Sequence, residues 1–85
     1  MFYVYILYSK FLDVYYKGFT TNLENRLEYH ISGKSTYTSK TDDWKIVYSN
    51  TFETKKEALI EEKRLKKLNR LSIEKLIYIH IEKRV

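Results

Sequence analysis

Eighty-five residues, 44% hydrophobic and 16% aromatic, are expected to form a single domain over residues 1–85, one that buries only about 60–65% of the surface its unfolded chain exposes. The absence of cysteine excludes a disulfide framework, thiolate catalysis and a thiol zinc site, and two histidines are too few for a histidine metal cage. A net charge of +5 favours phosphate backbones as partners, although a basic surface also suits a protein with no such partner.

The chain opens with Phe2-Tyr3-Val4-Tyr5-Ile6-Leu7-Tyr8, aromatic and β-branched on both alternating faces, which predicts a central strand covered on both sides. The same N-terminus lacks the positive flank and cleavage site of a signal peptide. No run of about 18 apolar residues follows, so the expected location is the cytoplasm. Ser9 to Asp13 reads as a turn, and Val14 to Thr20 as a second strand returning antiparallel beside the first. Tyr5 and Tyr16 then lie close on one face. Gly18 shares that face and removes bulk there, as a close backbone or ligand approach requires.

Thr21 and Glu24 have the offset of a capping box and predict a helix running to about Ile31, closed by Gly33. Leu23, Leu27 and Ile31 form its apolar stripe, while Arg26 and His30, spaced i and i+4, project together beside it. Ser35 to Asp43 is polar and aperiodic, a loop in which Tyr37 and Lys40, with the preceding Lys34, are candidate contacts to a phosphate backbone. Trp44 to Phe52 alternates as a third strand, with Ile46 and Tyr48 on one face and Val47 on the other.

Thr54 and Glu57 make a second capping box and open a long lysine-rich helix with Ala58, Leu59, Leu65 and Leu68 as its buried positions. One of Glu61 and Glu62 must border the inward stripe. Ser72 is the expected cap of a last helix that packs Ile73, Leu76, Ile77 and His80 against the domain. The sum is an α+β fold, a small three-stranded antiparallel sheet flanked by helices, in the order strand, strand, helix, strand, helix, helix.

Taken singly, these polar residues have ordinary explanations. Tyr5 and Tyr16 suit cross-strand packing, Arg26 and His30 a helix boundary, and Glu62 a salt pair with Lys66. Lys63, Arg64, Lys66, Lys67 and Arg70 read as a solvated face.

Together they resemble the GIY-YIG nuclease superfamily, in particular its small single-domain bacterial members. The resemblance rests on Tyr3-Val4-Tyr5, Tyr16-Lys17-Gly18, Arg26 ten residues after Tyr16, His30, and Ala58-Leu59 followed by a carboxylate on a lysine-rich helix. It covers nearly the whole chain. It implies that Tyr5, Tyr16, Arg26 and His30 are catalytic, that Gly18 is the closing glycine of the second tripeptide, and that Glu62 rather than Glu61 is the metal-binding carboxylate. Tyr3 and Val4 stand where the family has Gly and Ile, Lys17 stands where it has Ile, and Asn69 falls too early to match the asparagine many members carry after the glutamate.

The implied activity is metal-dependent hydrolysis of DNA phosphodiester bonds with Mg²⁺ or Mn²⁺, directed at particular DNA structures in repair or recombination. A partner protein would supply specificity. The residue types suit that chemistry. Arginine holds two phosphate oxygens as charge builds, and a single carboxylate with open coordination positions suits Mg²⁺. A tyrosine accepts a water proton only as phenolate, which nearby cations favour. Either tyrosine fits that role. The competing expectation is a nucleic-acid-binding module that keeps the scaffold without turnover.

Overall fold

The computed structural model of the protein describes residues 1–34 and 38–83. Its elements are β1 (Phe2–Ser9), β2 (Val14–Thr20), α1 (Leu23–Ile31), a short 3-10 turn (Thr38–Lys40), β3 (Lys45–Phe52), α2 (Lys55–Lys67) and α3 (Arg70–Lys83). The strands form one antiparallel sheet in the order β2-β1-β3, which is the α+β arrangement expected from the sequence.

The central position of β1 follows from its two apolar faces. Val4 and Ile6 face α2 and α3 and join Tyr48, Ala58, Leu65, Ile73 and Ile77 in one core cluster. Tyr5 and Leu7 face the other way, where Trp44, Leu23 and Leu27 cover them. All four of these β1 side chains are buried. Each full burial of this kind stabilises the fold by about 1.5–3 kcal/mol. Phe2 and Phe19 add a stacked pair at 6.0 Å across β1 and β2.

Four local expectations are corrected. The N-cap of α1 is Asn22, whose side-chain oxygen accepts from the Asn25 N–H at 3.1 Å, while Thr21 is one residue too early. Its geometry is extended, the usual state of a cap, and asparagine is at least as good a cap as threonine. At the start of α3, Asn69 takes the role expected of Ser72 by accepting the Ser72 N–H at 2.8 Å. Ile46 and Tyr48 lie on opposite faces of the sheet. β3 shifts register between the partners of Ile6 and Leu7, so Val47 is the extra residue of a β-bulge, and Val47 joins Tyr48 against the helix face while Ile46 packs near Leu7. Leu59 is exposed, because Ala58 and Leu65 alone mark the inward line of α2.

Other predicted signals hold. Thr54 caps α2, accepting from the Glu57 N–H at 3.2 Å and donating to the Glu57 carboxylate at 2.8 Å. Gly33, at φ +79°, ends α1 in a Schellman motif, with its N–H on the His30 carbonyl and the Lys34 N–H on the Tyr29 carbonyl. His80 is half-buried beside the Tyr48 ring. No helix among the described residues is long and apolar enough to cross a membrane.

Two ties hold the β1–β2 turn, and sequence reading foresaw neither. The Asp43 carboxylate accepts from the Ser9 hydroxyl at 2.6 Å and the Phe11 N–H at 2.9 Å, which fixes the turn to the start of β3. These bonds hold its carboxyl below the usual range. Asp13 adopts φ 55°, a left-handed conformation uncommon outside glycine. It is clamped there by the Tyr8 hydroxyl at 2.7 Å and by Arg70, which donates to its side chain at 2.6 Å and its carbonyl at 2.8 Å.

Candidate active site

Strand alternation and one missing side chain create the site. Tyr5 leaves β1 on the α1 side, and its neighbour across the ladder is Gly18 of the edge strand β2. A Cβ built on Gly18 would overlap the phenol, lying 2.5 Å from Tyr5 Cζ. The glycine is therefore required, as expected, but the group that approaches it is the Tyr5 ring itself. Tyr16, two residues earlier on β2, lies on the same face with its ring 6.5 Å from that of Tyr5.

Helix α1 brings in the remaining groups. Arg26 and His30 sit one turn apart, and both reach the Tyr5 hydroxyl. Arg26 Nε donates to Tyr5 Oη at 3.3 Å, and the guanidinium lies over the Tyr29 ring at 4.6 Å from its centroid. His30 Nε2 is 3.0 Å from Tyr5 Oη and its Nδ1 is 2.8 Å from Thr38 Oγ1. The Thr38 carbonyl in turn accepts the indole N–H of Trp44 at 2.9 Å. The Tyr16 ring packs 4.8 Å from the His30 ring.

Charge and burial determine where the protons sit. Burial pushes the Tyr5 phenol above its ordinary value, outweighing the opposing pull of Arg26, so Tyr5 carries its proton. Arg26 already donates to the phenol oxygen, which leaves His30 Nε2 as the acceptor of that proton. Burial, reinforced by the Arg26 charge, pushes the His30 imidazole below its ordinary 6.5. His30 is thus neutral at pH 7, with its own proton on Nδ1 and donated to Thr38.

A stability consequence follows for His30. The unfolded chain takes up the imidazole proton at higher pH than the folded one, so its contribution is complete above about pH 6.5 and is lost as pH falls through the folded value. Urea midpoints should fall between pH 7.5 and 5, and His30→Gln should flatten that slope. The depressed carboxylates Asp13, Asp43 and Glu61 act in a lower window, below about pH 4.5. A slope in His30→Gln equal to that of the native chain would refute this assignment.

The two neighbouring glutamates of α2 have different surroundings. Glu61 is held by Arg64 at 2.6 and 2.8 Å and accepts the Tyr48 hydroxyl at 3.3 Å. Glu62 has a looser contact, Lys66 at 3.6 Å, and its side chain is 20% exposed. Although α2 lies on the opposite face of the sheet, the Glu62 charge is felt at Tyr5, where it disfavours the phenolate. Among the described residues no group of three or more His, Asp or Glu side chains gathers that could hold a metal. A single carboxylate fits Mg²⁺, which keeps most of its waters and shares the rest of its shell with substrate phosphate.

The structure therefore brings Tyr5, Tyr16, Gly18, Arg26 and His30 into one cluster, and Glu62 bears on it through a minor upward push on the Tyr5 phenol. Lys34 is exposed in a shallow hollow with Asn25, Glu28 and Tyr29, beside the ring that carries Arg26. Lys40 lines a different hollow with Phe11, Ile31 and Asp42 and is not brought to the cluster. Tyr37 lies outside the described residues. Sequence reading missed Thr38 and Trp44. The one available signal was that a buried indole N–H needs an acceptor.

Comparison with known proteins bears on this geometry. The GIY-YIG catalytic domain family matches residues 1–77 of the chain. A UPF0213 protein of Oceanobacillus iheyensis is 42% identical over 76 residues, covering 88% of this chain and 87% of the relative. A UPF0213 protein of Clostridium perfringens is 44% identical over 69 residues, covering 80% and 73%. The solution NMR structure of a UPF0213 protein from Bacillus halodurans superposes with a TM-score of 0.61 at 36% identity, covering 93% of this chain and 85% of that one.

Proposed function

Since the chain belongs to the GIY-YIG catalytic domain family, whose members are generally endonucleases that use divalent metals, we propose that it is an endonuclease hydrolysing DNA phosphodiester bonds. The observation that carries this reading is the hydrogen bond from Arg26 to the buried Tyr5 phenol, inside a cluster that also holds Tyr16 and His30. A buried phenol, a neutral histidine and a half-buried guanidinium are more than packing requires. They hold one cationic fork in a fixed direction.

In this reading Arg26 grips the scissile phosphate and stabilises the charge that builds as water attacks phosphorus and the bond to the leaving oxygen breaks. Tyr5, fully buried, is a positioning residue. Its oxygen orients Arg26, and its proton is held by His30, which Thr38 keeps in the matching tautomer. Tyr16, which is half-buried where Tyr5 is fully buried, would be the phenol that meets the attacking water. Glu62 would hold Mg²⁺ or Mn²⁺, which would supply positive charge at the leaving oxygen. Lys34 would contact the backbone beyond Tyr29.

The test is cleavage of supercoiled plasmid and of a branched DNA by the purified chain. Nicking should require Mg²⁺ or Mn²⁺, stop with a chelator, and fall by at least about 100-fold in Glu62→Gln. A chain that binds DNA but never cuts it with either metal would instead be a non-catalytic binding module. Full activity in Glu62→Gln would remove Glu62 from the reaction.

A further inference from the structure

Helix α2 has an outward face that the core leaves free. Leu59 is 41% exposed and Ile60 60%, and they line one hollow together with Lys55, Lys56, Lys63 and Glu62. Ala58 and Leu65 define the inward line of the helix, and positions 55, 59 and 63 follow one another at four-residue steps beside Glu62. Single exposed aliphatic residues are ordinary. Here two adjacent ones share a hollow with three lysines, and that hollow borders the candidate metal carboxylate. Cations select a polyanion, and aliphatic side chains select an apolar surface. A nucleic acid with an unstacked base presents both.

We propose that this hollow docks the nucleic acid next to the scissile phosphate, with Lys55, Lys56 and Lys63 on backbone phosphates and Leu59 and Ile60 against an unstacked base. The proposal rests on the nuclease reading above and narrows its substrate class to DNA carrying a bulge, fork or unpaired base beside the cut. An acidic, partly apolar protein would also match the composition of the hollow. Nucleic acid is favoured because the lysines are continuous with Glu62, where the polyanion must lie if the site is a nuclease site. The two contact types do different things. The lysines add affinity for any DNA, and the aliphatic pair discriminates distorted from regular duplex.

The experiment is fluorescence anisotropy on the full chain without divalent ions, so that binding is read apart from turnover. The probes are a labelled regular duplex and the same duplex with a single-base bulge. The native chain should prefer the bulged duplex by about tenfold. The L59A/I60A double variant should lose that preference and keep its affinity for the regular duplex. K55A/K56A/K63A should weaken both and reduce the salt dependence. Both sets replace exposed helix residues with the best helix former, and circular dichroism melting checks that they fold. Equal binding of the two duplexes by the native chain, or a preference retained in L59A/I60A, overturns the docking proposal. If the native chain then still cuts DNA with Mg²⁺, only the docking proposal has failed. If it neither binds nor cuts any DNA, the nuclease reading has failed with it.

Discussion

Arg26→Ala should lower DNA cleavage by about 100- to 1,000-fold, the usual loss when a preorganised group facing transition-state charge is removed. The fold should survive, because Arg26 is half-buried, belongs to neither core cluster, and touches the polar end of Tyr5 and the Tyr29 face. Arg26→Lys should recover little. A lysine has no planar fork to hold two phosphate oxygens, stacks less well on Tyr29 and cannot reproduce the fixed Nε–H that reaches Tyr5. Single-turnover cleavage gives the rate, and thermal melting shows whether structure was kept. Cleavage near the native rate in Arg26→Ala would take this arginine out of the reaction.

Gly18→Ala tests the geometry without substituting any candidate catalytic group. The added methyl would fall on the Tyr5 phenol, and neither partner can retreat easily. β1 and β2 are laddered together at this pair, and Tyr5 is packed between Leu7, Trp44 and Tyr16. Overpacking of this kind costs about 1–3 kcal/mol. A displaced ring also breaks the contacts from Tyr5 to Arg26 and His30, so cleavage should fall more than stability alone explains. Combining Gly18→Ala with Tyr5→Leu, which removes the phenol end, should cost less stability than the sum of the two single changes. Additive losses in denaturant melts would show that the methyl finds room elsewhere.

Much of the fold could be read from side-chain type because local chemistry and tertiary structure agree. β1 has apolar residues on both faces and becomes the central strand, while β2 has Lys17 and Gly18 and becomes an edge. The Thr54–Glu57 box and Gly33 act within a few residues and were visible for that reason. The pairing of Tyr5 with Tyr16 and of Arg26 with His30 was also visible, since one depends on a hairpin and the other on a helix turn, while the meeting of the two pairs was implied only by the family resemblance. Features that depend on distant partners were not visible. The bulge that separates Ile46 from Tyr48 arises from the pairing of β3 with β1. The exposure of Leu59 reflects how narrow the inward line of α2 is, which the sequence of the helix alone does not give. Thr38 meets His30 only because a 3-10 turn returns to α1, and no motif announces that contact.

The bond between the Trp44 indole and the Thr38 carbonyl gives the protein an internal optical probe. Trp44 is the sole tryptophan of the chain, it is 2% exposed, and its hydrogen-bond acceptor belongs to the same residue that holds His30. Its emission therefore comes from a single known position, one residue removed from the imidazole. Loosening of the Thr38–His30 arm, by acid, substitution or substrate, changes the surroundings of that indole before the rest of the sheet needs to open. The state of the tyrosine–histidine cluster can thus be followed by intrinsic fluorescence in unlabelled protein.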